Sequence, residues 1–141
     1  MATTITVMHD TQTHAVVMVN ADGGNAVAQP GVILLTSLVG AQLNAFGGAS
    51  VVPPRVAITK IESSCGPGVG VNAGYTIDYG GNGGLLFIHE GSLKLDDLNL
   101  IMSTPGNIVV TPQHNLVSFT AILTLKKIKG FAGSASMAKI G

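Results

Sequence analysis

Most apolar segments of this sequence are short, and within them apolar residues alternate with polar ones. The clearest case is the segment 119–126, in which positions 119, 121, 123 and 125 are apolar and Thr120, Thr124 and Lys126 are polar. Successive residues of a strand point to opposite faces, so this period of two predicts a half-buried β-strand. Because helical periodicity is scarce elsewhere, the pattern favours an all-β chain.

Nine segments have this character, and glycine or proline separates most of them. The nine candidate strands are Thr3–Met8, Ala15–Asn20, Val32–Leu38, Arg55–Glu62, Tyr75–Asp78, Leu85–His89, Leu93–Met102, Asn107–Thr111 and Leu116–Lys127. Their number and spacing predict a single-domain β-sandwich of eight or nine short antiparallel strands, with a jelly roll as the leading topology. The predicted domain covers residues 1–129, and residues 130–141 form a C-terminal tail or arm.

Three segments depart from simple alternation. The pattern in Leu93–Leu100 changes phase at Asp96-Asp97, which predicts a bulge or turn there, since a one-residue slip would invert the second half. Ala15–Val19 is apolar on both faces, which predicts a strand covered on both sides, by a second sheet or by a partner subunit. Val39–Phe46 could form about two helical turns, which Gly47-Gly48 would end.

The chain contains unusually few charges. Charged residues make up 10% of the sequence, with seven basic and seven acidic residues, whereas an average soluble domain has about 25%. Charge is depleted at subunit interfaces, so this composition predicts an assembly component; a weakly charged monomer is the alternative. The one basic cluster is Lys126, Lys127 and Lys129, too small for a phosphate-binding surface, so we expect no nucleic-acid partner.

Two further features bear on the compartment. Cys65 is the only cysteine, which excludes an intrachain disulfide framework. The N-terminal residues lack the basic and apolar regions of a signal peptide, and no apolar run is long enough for a spanning helix. We therefore expect synthesis in a cytoplasm and no membrane partner.

The histidines and acidic residues are the first candidates for chemistry. His9 and His14 flank a predicted turn and could form a partial metal site with Asp10, but zinc requires three or four ligands, and polar residues flanking a turn explain the same pattern. His89-Glu90 could act as a base and carboxylate pair, although neighbours on a strand point to opposite faces. The remaining candidates are the loop residue His114 and the pair Asp96-Asp97, for which a bulge is preferred to a calcium site.

Cys65 and the glycines after it are the other candidates. Cys65 has no nucleophile signature around it, so a structural role is expected. Gly66, Gly68 and Gly70 resemble a phosphate-binding loop, but no lysine or helix follows them. The sequence therefore predicts no enzyme, no cofactor and no metal.

By overall type, the chain resembles the capsid cement (decoration) proteins of tailed bacteriophages. The features that carry this resemblance are the succession of strands from Thr3 to Lys127, the small-residue surface, and possible arms at Met1–Thr4 and Phe131–Gly141. The resemblance implies a homodimer or homotrimer that binds the outside of an icosahedral shell and bridges major capsid subunits. The candidate interface residues are Thr3, Ile5, Val17, Val69, Phe131, Met137 and Ile140.

Three other functions remain open at this point. Tyr75 and Tyr79 lie four residues apart on a candidate strand and could offer a stacking platform for a carbohydrate or another ligand. A small hydrolase would require His9, His89 or Asp96 to converge in a pocket. A tail, neck or baseplate subunit of a virion would share most of the features described above.

Overall fold

The computed structural model describes residues 3–21, 30–41, 53–66, 74–80, 84–104, 106–113 and 117–131. These residues form ten strands and one short 3-10 helix. The strands are β1 (Thr4–Asp10), β2 (His14–Ala21), β3 (Gly31–Ile33), β4 (Arg55–Cys65), β5 (Gly74–Asp78), β6 (Leu85–His89), β7 (Gly91–Leu95), β8 (Leu100–Ile101), β9 (Ile108–Pro112) and β10 (Phe119–Lys129). The helix, Leu35–Ser37, is the only one in the described part of the chain, and it is too short to cross a bilayer.

The strands form two antiparallel sheets. The larger sheet has the order β1-β2-β10-β4-β7, with β8 also paired to β4, and the smaller sheet has the order β3-β9-β5-β6. Along the chain, the antiparallel pairings alternate between the two sheets. β2 pairs with β10 in the larger sheet and β3 with β9 in the smaller one; then β4 pairs with β7 and β8 in the larger sheet and β5 with β6 in the smaller one. This rolled ribbon of paired strands is the jelly-roll arrangement. The prediction of an all-β, jelly-roll-like sandwich is therefore confirmed, although the described residues form ten strands where eight or nine were predicted.

The core lies between the two sheets and follows the alternation read from the sequence. In β10, Phe119, Ala121, Leu123 and Leu125 are buried, and the residues between them face the other side of the larger sheet. They pack against the inward residues of the smaller sheet, which are Ile33, Tyr75, Ile77, Ile88, Ile108 and Val110. Burying these side chains is the main favourable term for a domain of this size.

Three local predictions had different outcomes. The predicted break at Asp96-Asp97 is confirmed, because β7 ends at Leu95 and Asp97 has a left-handed φ of 56°. The predicted strand Val32–Leu38 is wrong beyond Ile33, since the chain turns into the 3-10 helix there. The helix predicted over Val39–Phe46 is absent from residues 39–41, because residues 39 and 40 form a turn and Ala41 forms a β-bridge. The rest of this segment, residues 42–46, lies outside the described residues.

Candidate assembly surface

Charged residues are distributed unequally between the two sheets. The smaller sheet contains one charged residue in its four strands, Asp78, at the end of β5. The strands of the larger sheet contain eight charged residues: Asp10, Arg55, Lys60, Glu62, Lys94, Lys126, Lys127 and Lys129. Because charged groups are costly to desolvate, the smaller sheet has the face that a partner can cover at lower cost.

The outer face of the smaller sheet combines apolar side chains with threonines and a single carboxylate. Strand register places Leu85 and Val109 on either side of Asp78, and places Phe87 and Thr111 on either side of Thr76. Leu85 is 64% exposed and Phe87 is 37% exposed. We call Thr76, Asp78, Leu85, Phe87, Val109 and Thr111 the small-sheet face, in which Asp78 is the one charged residue. The Thr76 hydroxyl donates a hydrogen bond to the Thr111 carbonyl oxygen at 3.5 Å, which lowers the cost of removing water from it.

The apolar surface continues around the edge of β6. An open hollow of about 300 Å³ lies between β6 and β7, and its apolar lining includes Leu86, Phe87, Leu93 and Leu95. The Phe87 ring meets the His89 ring edge-on, with 4.6 Å between their centroids. His89, predicted as a base beside Glu90, therefore packs on an aromatic side chain at the rim of the small-sheet face.

The candidate metal residues near the first hairpin do not assemble into a site. The register pairs His9 with Val16 on the outer face of the larger sheet and pairs Asp10 with Ala15, which is buried on the inner face. The Nδ1 atom of His14 lies 2.9 Å from the Thr13 hydroxyl oxygen. The Asp10 carboxylate accepts hydrogen bonds from the Lys127 ammonium group and from the Val39 N–H. No group of three or more potential ligands occurs among the described residues.

Lys127 is the most buried charged residue in the described part of the chain. Its ammonium group donates to Asp10 Oδ1 at 2.6 Å, to the Val39 carbonyl oxygen at 2.7 Å and to the Thr11 carbonyl oxygen. The Phe131 ring centroid lies 5.1 Å from the same nitrogen, within cation–π range. These contacts connect β10, the first hairpin and the segment after the 3-10 helix, so the cluster has a structural role.

Cys65 faces the interior and is not placed for catalysis. It is 4% exposed, and burial, with a smaller effect from the nearby Glu90 carboxylate, raises the pKa of its thiol. The reactive thiolate is thus disfavoured. Gly66, which follows it, is held by a hydrogen bond from its N–H to the Ser118 carbonyl oxygen. Gly68 and Gly70 lie outside the described residues, as does His114.

Tyr75 does not form a carbohydrate platform. It is fully buried and stacks on Phe119, with 4.3 Å between ring centroids and 12° between ring planes. Tyr79 packs partly buried against the same core. The expectation that the two tyrosines share an exposed face is therefore wrong, because the inward side of β5 is covered by the larger sheet.

The predicted interface residues fall into three groups. Val17 and Phe131 are fully buried within the chain, so their assignment as partner contacts is wrong. Thr3 and Ile5 are partly buried at the edge of the sandwich, beside Gly31. Val69, Met137 and Ile140 lie outside the described residues. The prediction overlooked Leu85 and Phe87, although Leu85–Ile88 is apolar on both faces, the signal noted for Ala15–Val19.

Comparison of this chain with protein-family models, curated proteins and solved structures found no match.

Proposed function

We propose that this chain is a structural virion protein of the capsid cement type, which binds the outside of an icosahedral shell and bridges its major capsid subunits. The observation that supports this proposal is the small-sheet face, which exposes Leu85 and Phe87 and has Asp78 as its one charged residue. Jelly rolls occur in viral capsid proteins and also in lectins, so the fold alone does not select between these roles.

The dimensions of the small-sheet face favour a repeated contact. Four strands about 4.8 Å apart and about five residues long span roughly 15–20 Å in each direction. A standard stable interface covers about 800 Å² on each partner, which is more than such a face offers. A single contact is therefore weak, and stable attachment requires several copies on one particle, as multivalency provides. A shell of identical subunits supplies that repetition.

A non-catalytic role is consistent with the placement of the polar residues. Among the described residues, Asp10 is engaged by Lys127, Cys65 is buried and the His89 ring packs on Phe87. Asp96 lies 3.6 Å from Lys60 on the exposed side of the larger sheet. His9 and Asp96 lie at opposite edges of the outer face of the larger sheet, and His89 lies on the smaller sheet, so the three residues do not form one pocket.

Sedimentation with shells tests the proposal. Shells assembled from the major capsid protein of the same source are mixed with the purified chain, and the bound fraction is measured after centrifugation. We expect the wild-type chain to sediment with the shells. Phe87→Lys should reduce the bound fraction at least tenfold, because the new charge loses its water in the contact. Ser64→Lys is the matched control, since Ser64 is exposed on the outer face of the larger sheet.

Three results would contradict the proposal. The first is a wild-type chain that stays in the supernatant, the second is equal binding by both lysine variants, and the third is sedimentation with purified tails instead of shells. The third result would assign the chain to the tail or neck, the alternative within the same structural class.

A further inference from the structure

One open side of the sandwich is formed by two segments that run alongside each other. β1 forms the edge of the larger sheet, and residues 31–39 follow the edge of the smaller sheet. Gly31 lies against Thr3 and Ile5 at one end, and at the other end the Val39 N–H donates a 2.8 Å hydrogen bond to the Asp10 carboxylate. The two segments therefore run in the same direction along one side of the molecule.

This side exposes a group of apolar side chains. We define the β1–β3 flank by five residues: Val7, Met8, Val32, Leu34 and Val39. Each of them is between 40% and 53% exposed, and together they are five of the eight large apolar residues exposed in the described part of the chain. A concentration of exposed large apolar side chains along one side of a soluble protein marks a candidate interaction site.

The main chain of β1 also has an open side. In the described residues, β1 pairs with β2 alone, and an edge strand directs alternate N–H and C=O groups away from its sheet. β1 contains no lysine, arginine or proline, the residues that commonly block an edge. A bulge between Val7 and His9 restricts regular pairing to Thr4–Val7. A second strand would satisfy these groups by strand addition.

The charge of the flank identifies the class of partner. Residues 3–11 and 30–41 contain one charged residue, Asp10, and Lys127 neutralises it. Two copies would therefore approach without repulsion between like charges, whereas a basic or acidic partner would find no opposite charge there. A twofold axis pairs a strand with its own copy in the antiparallel direction, which is the direction of every pairing in this fold.

We propose that the β1–β3 flank binds a second copy of this chain, with the two β1 strands antiparallel across a twofold axis so that the larger sheets join. This dimer leaves Leu85 and Phe87 of the small-sheet face uncovered, because β6 lies at the opposite edge of the smaller sheet from β3. It does not depend on a shell, so it can be tested on the isolated protein, and its failure would leave the shell-binding proposal intact.

Native mass measurement across a concentration series tests the dimer. We expect the full chain to have twice its 14.3 kDa mass. Met8→Glu and Val7→Glu should each weaken dimerisation on the order of 100-fold, because each carboxylate would be buried against apolar side chains. Leu85→Glu is the control, since Leu85 is exposed and apolar but lies at the opposite edge of the smaller sheet.

A monomeric wild-type chain would overturn the proposal, as would dimers unaffected by Met8→Glu and Val7→Glu. If Leu85→Glu weakened dimerisation as much as Met8→Glu, the proposal would also be overturned, because that result would indicate a head-to-tail contact.

Cross-linking detects the dimer contact directly, so its result cannot be confused with unfolding of a variant. In a Cys65→Ala background, Thr6→Cys places a thiol on the part of β1 that pairs across the twofold axis, and Ser64→Cys places one on a central strand. We expect a short thiol cross-linker to give covalent dimers of the Thr6→Cys chain, at least tenfold more than of the Ser64→Cys chain. Equal yields from the two chains would contradict the twofold pairing of β1.

Discussion

At the scale of single residues, the most informative group is the Lys127 ammonium. Its side chain is fully buried, and the Asp10 side chain is 14% exposed. A buried ion pair offsets its desolvation cost only when its geometry is good and its other hydrogen bonds are made. Lys127 meets both conditions, with two main-chain carbonyl acceptors besides the carboxylate.

Lys127→Met should destabilise the domain by about 3 kcal/mol, since it leaves Asp10 Oδ1 and two carbonyl oxygens without their donor and the carboxylate without its counter-charge. Lys126→Met, at the exposed neighbouring position, should change the free energy of unfolding by less than about 0.5 kcal/mol. Urea denaturation of both variants measures the difference. Equal stability of the two variants would show that the cluster contributes nothing to folding.

Tyr75 predicts how stability depends on alkaline pH. Burial raises the pKa of Tyr75 to about 12, against the small opposing effect of a hydrogen bond with Ser63. That bond is poor, because neither hydroxyl has a partner of good geometry. The folded state thus holds the neutral phenol, while in the unfolded chain the phenol ionises near pH 10. The contribution of the neutral Tyr75 phenol to the free energy of unfolding is fully present below pH 10 and is lost as the pH rises toward 12.

The measurement is the free energy of unfolding at pH values from 8 to 11. Tyr75→Phe should show a smaller loss than the wild-type chain over this range, and at pH 8 it should differ from wild type by no more than about 1 kcal/mol. Parallel curves for the two proteins would contradict the assignment of the alkaline loss to Tyr75.

At the scale of the elements, the turn after β7 decides how one predicted strand becomes two. Asp97 occupies the left-handed region with φ 56°, and the Leu98 N–H donates to the Thr59 carbonyl oxygen at 2.9 Å. In the pairing with β10, Thr124 faces Lys60 and Leu125 faces Ile58, so Thr59 lies at a bulge. The turn and the bulge allow Leu95 and Leu100 both to pack against the core.

Asp97→Val should destabilise the domain by about 1–2 kcal/mol, because a β-branched residue is strained at positive φ. Asp96→Val is the adjacent control and removes one exposed ion pair with Lys60, which contributes little to stability at a solvent-screened site. Thermal unfolding followed by circular dichroism gives both values. A larger loss for Asp96→Val would contradict this account of the turn.

At the scale of the whole molecule, the main feature is the separation of charged from apolar surface. The larger sheet carries nearly all the charges of the described strands, and the apolar surface lies on the small-sheet face and the β1–β3 flank. The molecule can therefore make two different contacts without bringing its charges together. One contact would join two copies, and the other would attach the pair to a shell.

This separation predicts that shell binding depends little on salt. Raising the ionic strength from about 0.1 M to about 1 M shortens the Debye length from about 10 Å to about 3 Å. An apolar contact is not weakened by this screening, so we expect the affinity to change by less than about threefold, as measured by sedimentation at both salt concentrations. A large loss of binding in high salt would indicate that the charged face of the larger sheet makes the contact.

The sequence alone indicated most of the strands, because the period of two is a local property of the backbone. It indicated the alternation in β10, the break at Asp96-Asp97 and, from strand number and spacing, the jelly-roll sandwich. It also indicated an unusual shortage of charge. Each of these features depends on residues close together in the chain or on a count over all of it.

Only the tertiary structure decided which apolar residues are covered. Val17, Tyr75 and Phe131 are as apolar or aromatic in sequence as Val7 and Phe87, yet the first three are fully buried and the last two are exposed. Period-two alternation defines two faces for a strand without saying which one meets the other sheet. That choice, like the pairing of Asp10 with Lys127, depends on strands distant in sequence that become neighbours on folding.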